Sequence, residues 1–148
     1  MTVNRHSSRG TRPSSFRLEF TAFCEAHRDA YLRYAQVRIE DRAEAVRCVD
    51  AVLEAVQARW VAVLGSACPA AQVWRELRDE TGHRTVGVAR RSARFHAVLR
   101  DDQADILVLH RHLLLPVDHA ASLMGLADHD ARALLRGAER DFESLPDR

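Results

Sequence analysis

Residues 106–142, ILVLHRHLLLPVDHAASLMGLADHDARALLRGAERDF, decide the fold. Ile106, Leu107, Leu109 and Leu113 recur at helical spacing and predict a helix over about 102–113. Pro116 then precedes a short apolar stretch, Val117–Met124, that fits a second helix. Gly125-Leu126 makes a tight turn, and a last helix is expected over about 128–142. Ala121 stands four residues before Gly125, with Ala131 and Leu134 six and nine residues after it. A helix-turn-helix needs this spacing: a small residue lets the helices cross closely, glycine makes the turn, and apolar residues anchor the second helix.

Upstream the same periodicity holds over longer helices. Phe16, Phe20, Phe23, His27, Tyr31, Tyr34 and Val37 step by three and four along one face of a helix ending near Arg38. Asp41 is placed to cap the next helix, with Glu44 at the capping-box position. That helix buries Val46, Val49, Leu53, Val56, Trp60 and Val63, and Gly65 stops it. Pro69 opens a third helix with Val73, Trp74 and Leu77 inward. The segment 81–87, TGHRTVG, is loop-like, and a fourth helix is predicted over about 88–99, with Val88, Ser92, Phe95 and Leu99 on one face. Residues 1–15 are polar, without periodicity, and are expected to form a mobile tail.

The chain is therefore expected to be all-α, with two small helical domains, the second a helix-turn-helix. The boundaries fall at 1–15 for the tail, 16–80 for the first domain, 81–100 for a basic linker containing a helix, and 101–145 for the second. Its 148 residues, 47% of them hydrophobic, suffice for a core. Only 6 Gly and 4 Pro argue against a turn-rich β protein. No apolar run reaches the length of a membrane span, and the N-terminus lacks the apolar stretch of a secretory signal. A cytoplasmic protein with reduced Cys24, Cys48 and Cys68 is the expectation.

The net charge of +1 conceals a segregation. Residues 1–17 carry four arginines and no acid, and residues 75–100 carry seven arginines against three acids. Residues 18–74 carry six arginines against eight acids, and residues 101–148 five against ten. A polyanion should thus be met by the tail and the middle of the chain.

The order of these parts resembles the sigma-70 family of RNA polymerase sigma factors, in its extracytoplasmic-function group. The stretch 106–142 is similar to the family's C-terminal promoter-recognition domain. FCEAHRDAYLRYAQVRI resembles its first helix, DRAEAVRCVDAVLEAVQARW the helix that docks on the polymerase clamp, and PAAQVWRELRDE the start of the promoter-melting segment. The resemblance spans residues 16–142 and implies core RNA polymerase and promoter DNA as partners, with an anti-sigma factor as a regulatory third. Two departures are visible. Val49-Asp50 and Val52 stand where the family has a Gln-acid pair and an aromatic. Ala127-Asp128-His129-Asp130 opens a recognition helix that elsewhere begins with Ser or Thr.

The candidate site residues follow. Arg132 and Arg136 lie one turn apart and can face a groove together; the plainer reading pairs them with Asp128 and Glu139. Arg84, Arg90, Arg91 and Arg94 form a basic segment suited to a nucleic-acid backbone, near Trp74 and Phe95, whose rings fit a core stripe better than a stacking platform. Asp50, Glu54 and Gln57 share one stripe of the second helix and, by the resemblance, face the polymerase clamp. No metal, cofactor or catalytic site is expected: Cys24 and His27 have no second pair at zinc spacing, and there is no glycine-rich phosphate loop or HExxH. The expected function is sigma-factor-like transcription initiation. The alternative is a degenerate module that keeps the fold, binds protein as an adaptor or decoy, and has little DNA affinity.

Overall fold

The computed structural model describes residues 3–85 and 94–146, with side chains from Phe16 onward. Every regular element among them is helical: α1 Val3–Arg38, α2 Arg42–Ala58, α3 Trp60–Leu64, α4 Pro69–Arg84, α5 Arg94–Val98, α6 Asp101–Leu107, a π turn Val108–His112, α7 Val117–Met124 and α8 Asp128–Glu143. None of these helices is long and apolar enough to cross a membrane.

α1 buries Tyr31, Tyr34 and Ala35 at the end of its predicted stripe, Ile39 is buried just beyond it, and Phe16, Phe20 and Phe23 pack on the core half-buried. Its backbone continues helically through residues 3–15, where a tail was expected. Once 16–38 is held by packing, adding turns needs no new nucleus. Asp41 caps α2 as predicted, its carboxylate accepting from the backbone N–H of Ala43 and Glu44 at 2.9 and 3.3 Å. Glu44 is drawn elsewhere, to Arg47 and Arg84. The helix expected to run through to Val63 breaks at Arg59, and Trp60, buried, opens the short α3.

α4 begins at Pro69, as the proline predicted, but runs on to Arg84, taking in the first four residues of the segment read as a loop; Val86 and Gly87 lie outside the described residues. Thr81 explains this. It is buried, its hydroxyl donates to the Arg78 carbonyl at 2.8 Å, and it accepts from Arg38 at 2.7 Å, so its polarity is satisfied inside the helix. Of the helix expected over 88–99, Arg94–Val98 is helical and Leu99 follows it, half-buried; Val88 and Ser92 lie outside the described residues.

The C-terminal pattern is the one the sequence carries. α7 and α8 are joined at Gly125, in the left-handed region at φ 72°. Glycine is required there twice over: for the dihedral, and because a β-carbon would come within 2.6 Å of the Ala71 Cα on α4. The anchor of α8 is shifted by one residue from expectation. Ala131, Leu135 and Ala138 are buried, while Leu134 is half-buried at the edge of the cleft beside Cys68 and Ala71.

The buried residues of α1, α2 and α4 and those of α6, α7 and α8 form a single cluster. α4 touches α7, and α1 touches the π turn. The two halves predicted as separate domains therefore share a core.

Candidate functional site

At the centre of that shared core lies a carboxylate. Asp105 on α6 is fully buried and accepts four hydrogen bonds. Its Oδ1 accepts from the Tyr34 hydroxyl and from His96 Nε2, each at 2.6 Å. Its Oδ2 accepts from Trp74 Nε1 and Arg78 Nε, each at 2.8 Å. α1, α4, α5 and α6 thus meet on one side chain. Burial alone would raise the Asp105 carboxyl; the His96 bond, the Arg78 charge and the Tyr34 bond outweigh it and hold the group below the usual carboxylate range. Burial, with the Asp105 charge beside it, pushes the Tyr34 phenol well up, so it remains the donor.

A second layer fixes this arrangement. Arg38 donates to the Tyr34 hydroxyl at 3.2 Å, to the Arg78 carbonyl at 3.1 Å and to Thr81. The Tyr34 and Trp74 rings lie 4.6 Å apart, and Trp74 is buried as expected. No sequence pattern singled out Asp105. The available signal was an acid inside the run Ala104-Asp105-Ile106-Leu107-Val108-Leu109, on a chain whose buried Tyr and Trp each need a polar partner.

The candidate nucleic-acid residues divide into two kinds. Arg132 and Arg136 are exposed on α8, one turn apart, and neither makes an ion pair or hydrogen bond among the described residues. The pairing to Asp128 and Glu139 that would have occupied them is absent there. Arg140, exposed on the same stripe, lies 3.8 Å from Asp141. Asp128 and Asp130 occupy the first turn of α8, where the helix dipole favours acids. In the basic segment, by contrast, Arg84 is gripped by Glu80 at 2.6 Å and by Glu44 at 2.5 Å. Arg94 lies over the Phe142 ring at 4.9 Å, and Phe95 packs edge-on against that same ring. Arg90 and Arg91 lie outside the described residues.

Asp50, Glu54 and Gln57 are all exposed along α2, so the structure brings the three together on one solvent face. Asp50 also pairs with Arg28 of α1 at 2.8 Å, both side chains half-exposed. Beyond Gln57 the stripe runs into a groove lined by Phe16, Phe20, Trp60 and Val61.

The three cysteines are unbridged, and burial pushes the Cys48 thiol up to about 11. Among the described residues, no group of three His, Cys, Asp or Glu side chains is arranged to hold a metal ion. The chain matches no family model, no curated protein and no solved structure.

Proposed function

We propose that this chain is a sigma-factor-like transcription protein that binds DNA through α8 and core RNA polymerase through α2. The observation that carries the reading is the pair Arg132 and Arg136, exposed and, among the described residues, unpaired on the helix that follows a left-handed glycine turn. An arginine fork matches the two acceptors of guanine in the major groove, and a second arginine one turn away suits a phosphate. The Asp50, Glu54 and Gln57 face supplies an acidic docking stripe for the polymerase. The action is recruitment and strand opening, with no covalent step, in the cytoplasm.

A second reading, a protein-binding module with little DNA affinity, is favoured by a different observation. The two halves share one buried core through Asp105, and α8 opens on two exposed acids that repel phosphate. Duplex binding as a function of salt separates the two. From sequence alone, the run Arg90, Arg91 and Arg94 is expected to carry most affinity and Arg132 and Arg136 little. Arg94 lies exposed over the Phe142 ring, and Arg90 and Arg91 lie outside the described residues; the larger share is assigned to α8 instead. Replacing Arg132 and Arg136 by Gln should weaken binding and flatten the salt dependence by about 0.9 log units per decade, for the one phosphate that is no longer neutralised. A slope unchanged by that double variant would remove α8 as the DNA element. Absence of duplex binding by the intact chain at low salt would leave protein partnership.

A further inference from the structure

The segment Leu113–Pro116 joins the π turn to α7 and has a feature that works against the fold. The N–H of Leu115 donates to the Leu109 carbonyl at 3.0 Å, six residues back, and that of Leu113 to Val108 at 2.9 Å. A helix end closed in this way places the residue before the last donor in the left-handed region, where glycine is the usual occupant. Leu114 stands there at φ 61°, the only non-glycine residue with positive φ among those described. Its side chain is 80% exposed, the most exposed large apolar side chain among them, so no packing offsets the strain. Glycine would close the same turn without strain and without presenting an apolar group to water.

The surroundings of Leu114 are cationic. Arg111 and His112 are exposed on the π turn just before it. Arg33 of α1, also exposed, reaches across to donate to the Leu113 carbonyl at 3.1 Å. Arg111 further lines a cleft with Arg94, Phe142 and Glu143, which sets the loop beside the C-terminal end of α8. Glu143 lines that cleft, Asp118 follows on α7, and Asp29 is exposed on α1 one turn before Arg33. In three-helix DNA-binding domains of the homeodomain kind, the loop between the first two helices and the C-terminal end of the third both reach the phosphate backbone. In this chain those two places are Leu113–Pro116 and the end of α8, and Arg111 stands between them.

We propose that this loop is a second DNA contact: Arg111 and Arg33 meet phosphates, and Leu114 packs on the apolar edge of a sugar or base. The inference rests on the reading of α8 as the DNA helix and extends its footprint to residues that the sequence did not single out. An exposed leucine flanked by arginines fits a nucleic-acid groove, where apolar wedges sit between phosphate contacts.

The test is fluorescence anisotropy of the full chain against a labelled duplex of about 30 bp across a salt series, with a thermal melt of each variant. Leu114→Gly should melt at a higher temperature than the parent and bind the duplex about tenfold more weakly, as expected when an apolar side chain is removed from an interface. Arg111→Gln should leave the melt unchanged and reduce the salt slope by about 0.9. Undiminished binding by both variants overturns the loop contact; if Arg132→Gln still weakens binding, the α8 reading survives that result. A lower melting temperature for Leu114→Gly also overturns the inference, because the leucine would then serve the fold. So does a Leu114→Gly protein that keeps its duplex affinity but no longer co-purifies with core polymerase, which would assign the loop to a protein partner. Failure of the intact chain to bind duplex at low salt removes both the loop and α8 from DNA.

Discussion

Around Asp105 and along α8, the same two side-chain types, carboxylate and guanidinium, stand under opposite conditions. At the junction Asp105 is closed off from water, and Arg78 gives it charge while three neutral or titratable groups supply the other hydrogen bonds. On α8, Arg132 and Arg136 lie in solvent with no partner among the described residues. The contrast refines what the charge count suggested. In the basic segment 75–100, Arg78 and Arg84 are held by carboxylates, whereas Arg75, Arg94 and Arg100 are exposed and Arg90 and Arg91 lie outside the described residues. In the acidic segment 101–148, Arg132 and Arg136 remain available. Segment charge measures how many cations are present, whereas their availability depends on whether a carboxylate or ring lies within reach.

The sharpest way to break this comparison is to remove the buried carboxylate. Asp105→Ala leaves the donors of Tyr34, Trp74, Arg78 and His96 facing a void, one of them a largely buried guanidinium. Taking away one partner of a buried ion pair typically costs about 3–5 kcal/mol. Both halves should unfold together, because the junction belongs to both. A melt in which one half survives unchanged would show that the shared core is not cooperative. The pH dependence follows from the same group. Its folded value lies below the unfolded carboxylate value of about 3.9, so its contribution is fully present at neutral pH and is lost as pH falls through the folded value. Asp105→Asn should therefore unfold with a flatter acid limb below about pH 4. An unaltered acid limb would mean that other carboxylates govern acid unfolding.

How much of this was legible can be argued from particular residues. The α7–α8 hairpin was readable because glycine at 125 and alanines at 121 and 131 act through local geometry, and the helix bounds came out within a residue. The Asp41 cap and the Pro69 start are likewise local devices. Asp105 was not readable, because its four partners come from positions 34, 74, 78 and 96, and periodicity says nothing about which buried polar groups meet. Thr81 was misjudged for the same reason: its loop-like neighbourhood, TGHR, is held helical by Arg38, from a different helix. The candidate arginines were legible as residues and not as free charges. The Glu80 partner of Arg84, four residues before it, was open to the sequence, whereas its Glu44 partner and the unpaired state of Arg132 were not.

A smaller effect tests the packing under α8. From sequence, Leu134 is the expected anchor; in the structure Leu135 is buried and Leu134 only half-buried. Leu135→Ala should destabilise the fold by about 2–5 kcal/mol, and Leu134→Ala by clearly less, since a partly exposed side chain leaves a smaller cavity. Chemical denaturation of the two variants side by side decides the register. Equal losses would place both leucines in the core and move Arg132 and Arg136 off the face they are assigned.

The smallest effect on stability should come from the exposed counterpart of Asp105. Asp50 pairs with Arg28 across α1 and α2, but both side chains are about half exposed, where water and salt screen the pair. Asp50→Arg removes that pair and sets two cations side by side, yet long side chains at this exposure can swing apart. The melting temperature should therefore hardly move. Binding is where the change should register. If the Asp50, Glu54 and Gln57 face docks on core polymerase, reversing the charge at its first position should weaken association, most at low ionic strength, where screening is least. A folded Asp50→Arg protein that co-purifies with core polymerase as the parent does, at every salt concentration, removes α2 as the docking surface and leaves the acidic stripe an ordinary solvated helix face.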